Sequence, residues 1–183
     1  MSKTVHLIRH GQSTFNAFMS LHGRDPMYFD APLSPLGKEQ AARLVDHFRA
    51  VDVELVVTTP FTRAIQTAST GFREKDVPLL VSPHHRELLA ASCDVGRSPN
   101  LLADEFPDLD FSALPDPWWH VEAGHPGPFA REPEDDFMER MKRFKGWIAG
   151  RHEQEIAVVG HGMFFYHLTG TFLENAEVMM IRM

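Results

Sequence analysis

Two histidines in this chain stand in the same local setting. Val5-His6-Leu7-Ile8-Arg9-His10-Gly11 carries an apolar run into a histidine and a glycine, and Val158-Val159-Gly160-His161-Gly162 repeats the form. An imidazole held at a strand tip and followed by a helix start can attack phosphorus, because helix N-terminal N–H groups favour an anion there. Gly11 is expected to let the backbone turn sharply and approach that ligand closely. Two guanidinium groups, Arg9 and Arg63, and one carboxyl group, Glu87, accompany the histidines. Arg63 falls in the first turn of a predicted helix, where the helix dipole disfavours a cation, so an anion is expected beside it.

The elements that position these residues alternate along the chain. Lys3 to Arg9 reads as a strand buried on both faces, followed by a helix from Gln12 to about Leu21 that places Ser13 and Asn16 on one face near its start. Ser34 and Pro35 open a second helix as N-cap and first helical residue, running to about Ala50. Glu54 to Thr58 is the next strand, and Thr59-Pro60 is expected to start the helix that carries Arg63. A third strand spans Pro78 to Val81 and leads into Arg86-Glu87-Leu88. Beyond an irregular segment, a helix from Glu134 to Ala149, a strand from Glu155 to Gly160, a helix from Met163 to about Phe172 and a last strand from Glu177 to Arg182 complete the chain. Alternation of this kind implies an α/β fold with a mostly parallel central sheet and helices on both faces, in one domain over residues 1–183. Ligands in such folds bind beyond the carboxyl ends of the strands. His10, Arg63, Glu87 and His161 follow the first four strands in turn, so four separate segments converge on one edge of the sheet.

Composition narrows the function classes. The 183 residues carry 25 acidic and 18 basic side chains, a formal charge of −7, which argues against a nucleic-acid partner. No apolar run is long enough for a membrane span and no signal-peptide core precedes the first strand, so a cytoplasmic location is expected. Cys93 is the single cysteine, and the eleven histidines show no metal-ligand spacing, so neither a disulfide nor a metal or other cofactor is called for. Residues 92–133 lose periodicity among many prolines, with Phe111, Trp118, Trp119 and Phe129 interspersed. That stretch is expected to be an ordered lid over the site, its aromatics serving chiefly as packing.

Together, Leu7-Ile8-Arg9-His10-Gly11-Gln12-Ser13 with Asn16, Pro32-Leu33-Ser34-Pro35-Leu36-Gly37, Thr59-Pro60-Phe61-Thr62-Arg63-Ala64-Ile65-Gln66-Thr67-Ala68 and Val158-Val159-Gly160-His161-Gly162 resemble the histidine phosphatase superfamily, the phosphoglycerate mutase-like proteins, on their phosphatase side. The resemblance runs from Val5 to about Thr169. It implies that His10 accepts the phosphoryl group, that Arg9, Arg63 and His161 form the phosphate pocket, and that Glu87 is the acid, with Asp94 as the substitute. Physical chemistry supports the same division: a neutral His10 attacks, Arg9, Arg63 and a protonated His161 neutralise the equatorial oxygens, and Glu87 moves the protons. Ser13 and Asn16 are expected to add neutral hydrogen bonds to substrate.

The expected activity is hydrolysis of a small phosphorylated metabolite through a phosphohistidine, of the histidine acid phosphatase type. A mutase would share the first step and pass the phosphoryl group to a second hydroxyl. It would need further cations and a closing tail, for which the chain is short beyond its last strand. A non-catalytic phosphate-binding protein and a histidine-ligated metallohydrolase are the other readings; the first sits badly with an intact set of site residues, the second with the absence of ligand spacing. Oligomeric state and substrate identity are not legible in the residues.

Overall fold

In a computed structural model describing residues 2–183, five strands form one sheet in the order β3-β2-β4-β1-β5. β1 (Thr4–Arg9), β2 (Leu55–Thr58), β3 (Leu79–Val81) and β4 (Glu155–Gly160) run parallel, while β5 (Val178–Arg182) lies antiparallel against β1 at the edge. The α/β architecture with a mostly parallel sheet is therefore the one expected from the alternation of elements. Successive strand residues point to opposite faces. Ile8, Val56 and Val159 pack on one side with residues of α2 (Pro35–Phe48) and α3 (Thr62–Gly71), and Leu7, Val57 and Val158 on the other with α5 (Glu134–Ala149) and α6 (Gly162–Thr169). Burial on both faces accounts for the near-continuous apolar strands.

Helix boundaries differ from the sequence expectation where tertiary contacts intervene. α3 begins at Thr62, not at Thr59-Pro60, because its first N–H group is taken by a carboxylate from elsewhere: Asp30 Oδ1 accepts from Thr62 N at 2.8 Å. Residues 59–61 form a bend between β2 and α3, and Thr59 lies beside His161 at the end of β4. α6 stops at Thr169, where Gly170 adopts a left-handed cap at φ 79°, so Phe172 is free of the helix. α1 (Thr14–His22) is capped by Ser13, and α2 begins at the expected Ser34-Pro35 pair. Residues 92–133 contain one short 3-10 turn, Ser92–Asp94, and α4 (Pro99–Glu105).

Trp118 of that segment is buried on Phe61, ring centroids 4.7 Å apart, and its Nε1 donates to Arg97 O at 2.8 Å. At the far end of the segment Glu132 receives both Arg86 and Arg140, and Arg140 also donates to the carbonyls of His84, Arg86 and Glu87. The irregular stretch is thus fastened at Trp118 and at Glu132, and the second fastening fixes the turn that carries Glu87. No helix among the described residues is long and apolar enough to cross a membrane.

Candidate active site

Strand register brings the two histidines together. Arg9 pairs with Gly160 across β1 and β4, and His10 N donates to Gly160 O at 2.9 Å, so His10 and His161 leave the sheet side by side with ring centroids 5.2 Å apart. β2 flanks β4 on the other side with Thr58 opposite Val159, which sets Thr59 next to His161. His10, Arg63 and His161 retain only 4 %, 2 % and 0 % of their exposure.

The bonds around His10 fix its protonation. Its Nδ1 lies 2.7 Å from the Gly11 carbonyl, which can only accept, so Nδ1 carries the hydrogen. Nε2 is left with its lone pair and accepts from Arg63 Nε at 3.2 Å. Burial first, then Arg63 and Arg9, hold the pKa of His10 well below the usual imidazole value. The ring is a neutral base whose free nitrogen faces a guanidinium. Gly11 meets a packing need within the protein: a Cβ there would sit 2.6 Å from Gly37 O, so glycine is needed for the approach of this loop to the start of α2.

Arg63 occupies the first turn of α3 and is anchored on three sides. Nη1 donates to Cys93 O at 2.6 Å, Nη2 to Asp94 Oδ1 at 3.1 Å, and the guanidinium lies 4.3 Å from the Phe61 ring centroid. The anion expected beside this cation is present in the protein as Asp94. Arg9 donates from Nη1 to Leu173 O at 2.8 Å and rests on Phe172, 4.8 Å from its centroid. Its Nε is buried with no partner among the described residues. Asn175 Nδ2 donates to His10 O at 3.0 Å, tying the approach to β5 onto the same loop.

His161 Nε2 is 2.8 Å from Thr59 Oγ1, and Arg63 Nη2, which can only donate, faces its Nδ1 at 3.5 Å. These contacts put the hydrogen on Nε2 and the lone pair on Nδ1. Burial, followed by Arg63 and His10, keeps its pKa well below the ordinary value. Burial beside Arg63 keeps the His161 imidazole neutral, because an imidazolium there would face a guanidinium with no counter-charge of its own.

Glu87 lies at the N-terminus of α6. Its Oε1 accepts from Leu88 N and Phe164 N and its Oε2 from Met163 N, each at 3.0 Å. Burial and then the charge of Asp94 raise its pKa to about 7. Gly162 brings the same helix end against Arg9: a Cβ there would lie 3.3 Å from Arg9 Nε. Arg9, His10, Arg63, Glu87 and His161 are thus brought together. Ser13 and Asn16 are beside them but bond to each other: Ser13 N and Oγ donate to Asn16 Oδ1 at 3.1 and 3.0 Å, and Asn16 N donates back to Ser13 Oγ at 3.1 Å.

Several supporting residues escaped the sequence reading. Thr59 orients His161, Thr67 Oγ1 accepts from Gly11 N at 3.0 Å, and Asp30 caps α3 while pairing with Arg97. Only Thr59 had a signal, a polar residue held extended by Pro60 at the end of an apolar strand.

A family model of the histidine phosphatase superfamily (branch 1) matches residues 5–183. A phosphoglycerate mutase-like protein of Arabidopsis thaliana is 31 % identical over 210 residues, covering 93 % of this chain and 74 % of that protein. The adenosylcobalamin/alpha-ribazole phosphatase of Escherichia coli (strain K12) is 27 % identical over 156 residues, covering 85 % of this chain and 71 % of that protein. The crystal structure of phosphoglycerate mutase from Bacillus anthracis shares the fold with a TM-score of 0.69 at 19 % identity, covering 100 % of this chain and 88 % of that one. With the family's match spanning nearly every residue and both histidines at adjacent strand ends, the chain belongs to the histidine phosphatase superfamily and is an enzyme of the phosphatase or mutase kind.

Proposed function

We propose that this protein is a phosphomonoester hydrolase of the histidine acid phosphatase type, acting on a small phosphorylated metabolite through a phosphohistidine at His10. The observation that carries the reading is the fixed tautomer of His10, with Nδ1–H held by the Gly11 carbonyl and Nε2 presented to Arg63. A nucleophile for phosphorus needs that lone pair in place, and cations at the oxygens do most of the rest.

In the first half-reaction the substrate phosphate takes over guanidinium N–H groups of Arg63, together with Arg9. His10 Nε2 forms a bond to phosphorus as the bond to the leaving oxygen breaks, and Glu87 gives its proton to that oxygen. His161 Nδ1 accepts a proton on anion binding and becomes a donor to a phosphoryl oxygen, while Nε2–H stays on Thr59. In the second half-reaction the Glu87 carboxylate takes a proton from water, the water oxygen bonds to phosphorus, and the N–P bond breaks to release inorganic phosphate. The amide NH2 of Asn16 is the polar group that the Ser13–Asn16 capping box leaves over for a phosphate contact. A pKa near 7 suits Glu87 to giving and taking a proton at neutral pH.

The test is transfer of radiolabelled phosphate from a phosphomonoester to the protein. The expected product is acid-labile, base-stable and absent from His10→Ala, and steady release of inorganic phosphate accompanies it. Wild-type turnover by His10→Ala refutes the mechanism. Isomerisation that depends on a bisphosphate primer, with no net phosphate release, would replace hydrolysis by the mutase reading.

A further inference from the structure

Four carboxyl oxygens lie around Arg63 and the first turn of α6, and they are unequally supplied with donors. Asp94 Oδ1 accepts from Arg63 Nη2 at 3.1 Å and from the Cys93 thiol at 3.6 Å, and Oδ2 accepts from the backbone N–H groups of Ala90 at 3.2 Å and Ala91 at 3.1 Å. Glu87 Oε1 accepts from two backbone N–H groups, Leu88 and Phe164, whereas Oε2 accepts from Met163 alone. Three of the four groups that meet Asp94 can only donate and the fourth, the Cys93 thiol, accepts only weakly, so a proton on either of its oxygens is poorly received. Glu87 Oε2, with a single N–H, has a lone-pair direction left for a proton. Burial raises the pKa of both carboxyls and Asp94 adds to the rise at Glu87; Arg63 and two backbone amides oppose it at each, with Arg63 the leading opposing influence at Asp94 and the weakest at Glu87. Interacting buried carboxyls of this kind hold one proton between them.

Resting on the hydrolase reading above, we propose that Asp94 is a positioning residue: it stays ionised, holds the Arg63 guanidinium in place against His10, and keeps the pair's one proton on Glu87 Oε2. The hold on Arg63 comes from two adjacent residues, the Cys93 carbonyl on Nη1 and the Asp94 carboxylate on Nη2, which together fix the plane of the fork. Nε then points at His10 Nε2, the atom that attacks. Asp94 is thereby removed as an alternative acid, and it acts on the reaction only through Arg63 and Glu87. The charged groups facing Glu87 are Asp94 from the 3-10 turn, Arg63 from α3 and Arg9 from β1. Those facing Asp94 are Arg63 and Glu87, with the Cys93 thiol kept protonated by burial. His10 and His161 are both neutral in the unliganded site.

The test is Asp94→Asn, read by the pH profile of kcat/KM and by orthovanadate affinity. Asparagine keeps the shape but must aim its NH2 either at Arg63 or at the amides of Ala90 and Ala91. The expected result is a loss of about tenfold or more in vanadate affinity, the scale of one charge-assisted hydrogen bond. The alkaline limb of kcat/KM for an alkyl phosphate moves to lower pH, because Glu87 ionises more readily without a negative neighbour. Glu87→Gln removes that limb. Unchanged vanadate affinity in Asp94→Asn, or an alkaline limb that stays in place or disappears, overturns the proposal. Carboxyl 13C NMR of the wild-type protein gives a second reading that needs no variant to fold: Glu87 titrates near 7 and Asp94 shows no step beside it. A titration step of Asp94 in that range overturns the proposal. A wild type without phosphatase turnover sinks the hydrolase reading instead, and vanadate affinity and NMR still decide on Asp94.

Discussion

Arg63→Ala is the substitution whose size follows most directly from the structure. It removes a side chain with 2 % exposure that bonds to His10 Nε2, Cys93 O and Asp94 Oδ1 and lies over Phe61. Deleting one partner of a buried ion pair costs about 3–5 kcal/mol, because the other charge is left in the interior. Asp94 keeps the N–H groups of Ala90 and Ala91, which places the expected loss toward the lower end, and the lost packing on Phe61 offsets part of that relief. For a chain of 183 residues such a loss lowers the melting midpoint by about 10 °C. Catalysis falls separately: removal of a single oxyanion donor costs about 100-fold or more in kcat. Melting by circular dichroism and hydrolysis of an aryl phosphate well below the mutant midpoint separate the two effects. Without Arg63 the folded pKa of Asp94 rises further above its unfolded value. Stability lost to its ionisation is therefore present at low pH and disappears as pH rises, so the gap between mutant and wild type narrows from pH 7 to pH 5, on the order of two units of acidification. A gap below about 2 °C at pH 7, less than 1 kcal/mol, or a loss of activity below tenfold, would place Arg63 outside the pocket.

Glu87→Gln slows alkyl phosphates more than aryl phosphates, since only poor leaving groups need the proton. In the wild type, kcat/KM for an alkyl phosphate falls as pH rises through about 7, and the Gln variant lacks that fall; equal slowing of both substrate classes speaks against a general acid. Thr59→Val keeps the shape of the side chain but removes the acceptor of His161 Nε2–H, an unsatisfied buried donor that costs about 1–3 kcal/mol. Nitrogen-15 NMR of His161 is expected to lose the Nε2–H signature, and an unaltered spectrum with unaltered melting excludes the assignment. His85, buried with Nε2 donating to Val159 O at 3.1 Å, has its pKa lowered to about 3, chiefly by burial. The unfolded chain then binds a proton the folded chain refuses, so wild-type stability from this group is present above 6.5 and lost as pH falls toward 3. Urea midpoints of wild type and His85→Asn should converge over that interval, and a constant difference contradicts the reasoning.

Residues whose place depends on strand order within one βα unit were legible from sequence. His10 and His161 each follow an apolar strand directly, and parallel pairing of those strands suffices to bring them together. Arg63 was legible for the same reason once β2 was found, even though its helix starts later than expected. That start is set by Asp30, whose carboxylate reaches Thr62 from another loop, and no local pattern around Thr62 encodes it. The packing requirement on Gly11 comes from the backbone of Gly37, which no local pattern announces. Asp94 could be named from sequence only as a second carboxyl. What distinguishes it from Glu87 is the kind of donor at its oxygens, a guanidinium from α3 and a thiol beside its backbone N–H groups, and these are brought together only by the fold. The protonation of His161 was the other quantity beyond reach, since it depends on burial and on Arg63, not on neighbours in sequence.

The charge arrangement explains why a site so rich in cationic residue types can be buried. Of its potential cations, both imidazoles are neutral, and Arg63 is paired with Asp94. Arg9 is the remaining guanidinium, partly exposed and resting on an aromatic ring. A phosphate brings the negative charge that makes a proton on His161 Nδ1 favourable, so on the proposed mechanism binding and protonation of His161 are one thermodynamic event. His161 then donates only when there is an oxygen to receive it, and Thr59 ensures that the nitrogen gaining the proton is the one facing Arg63. His10 cannot take that proton in its place without losing the lone pair that attacks, and its Nδ1–H is already held by Gly11. The different partners of the two rings, a carbonyl that can only accept and a hydroxyl beside an arginine, are what on the proposed mechanism divide nucleophile from hydrogen-bond donor between two residues of the same type.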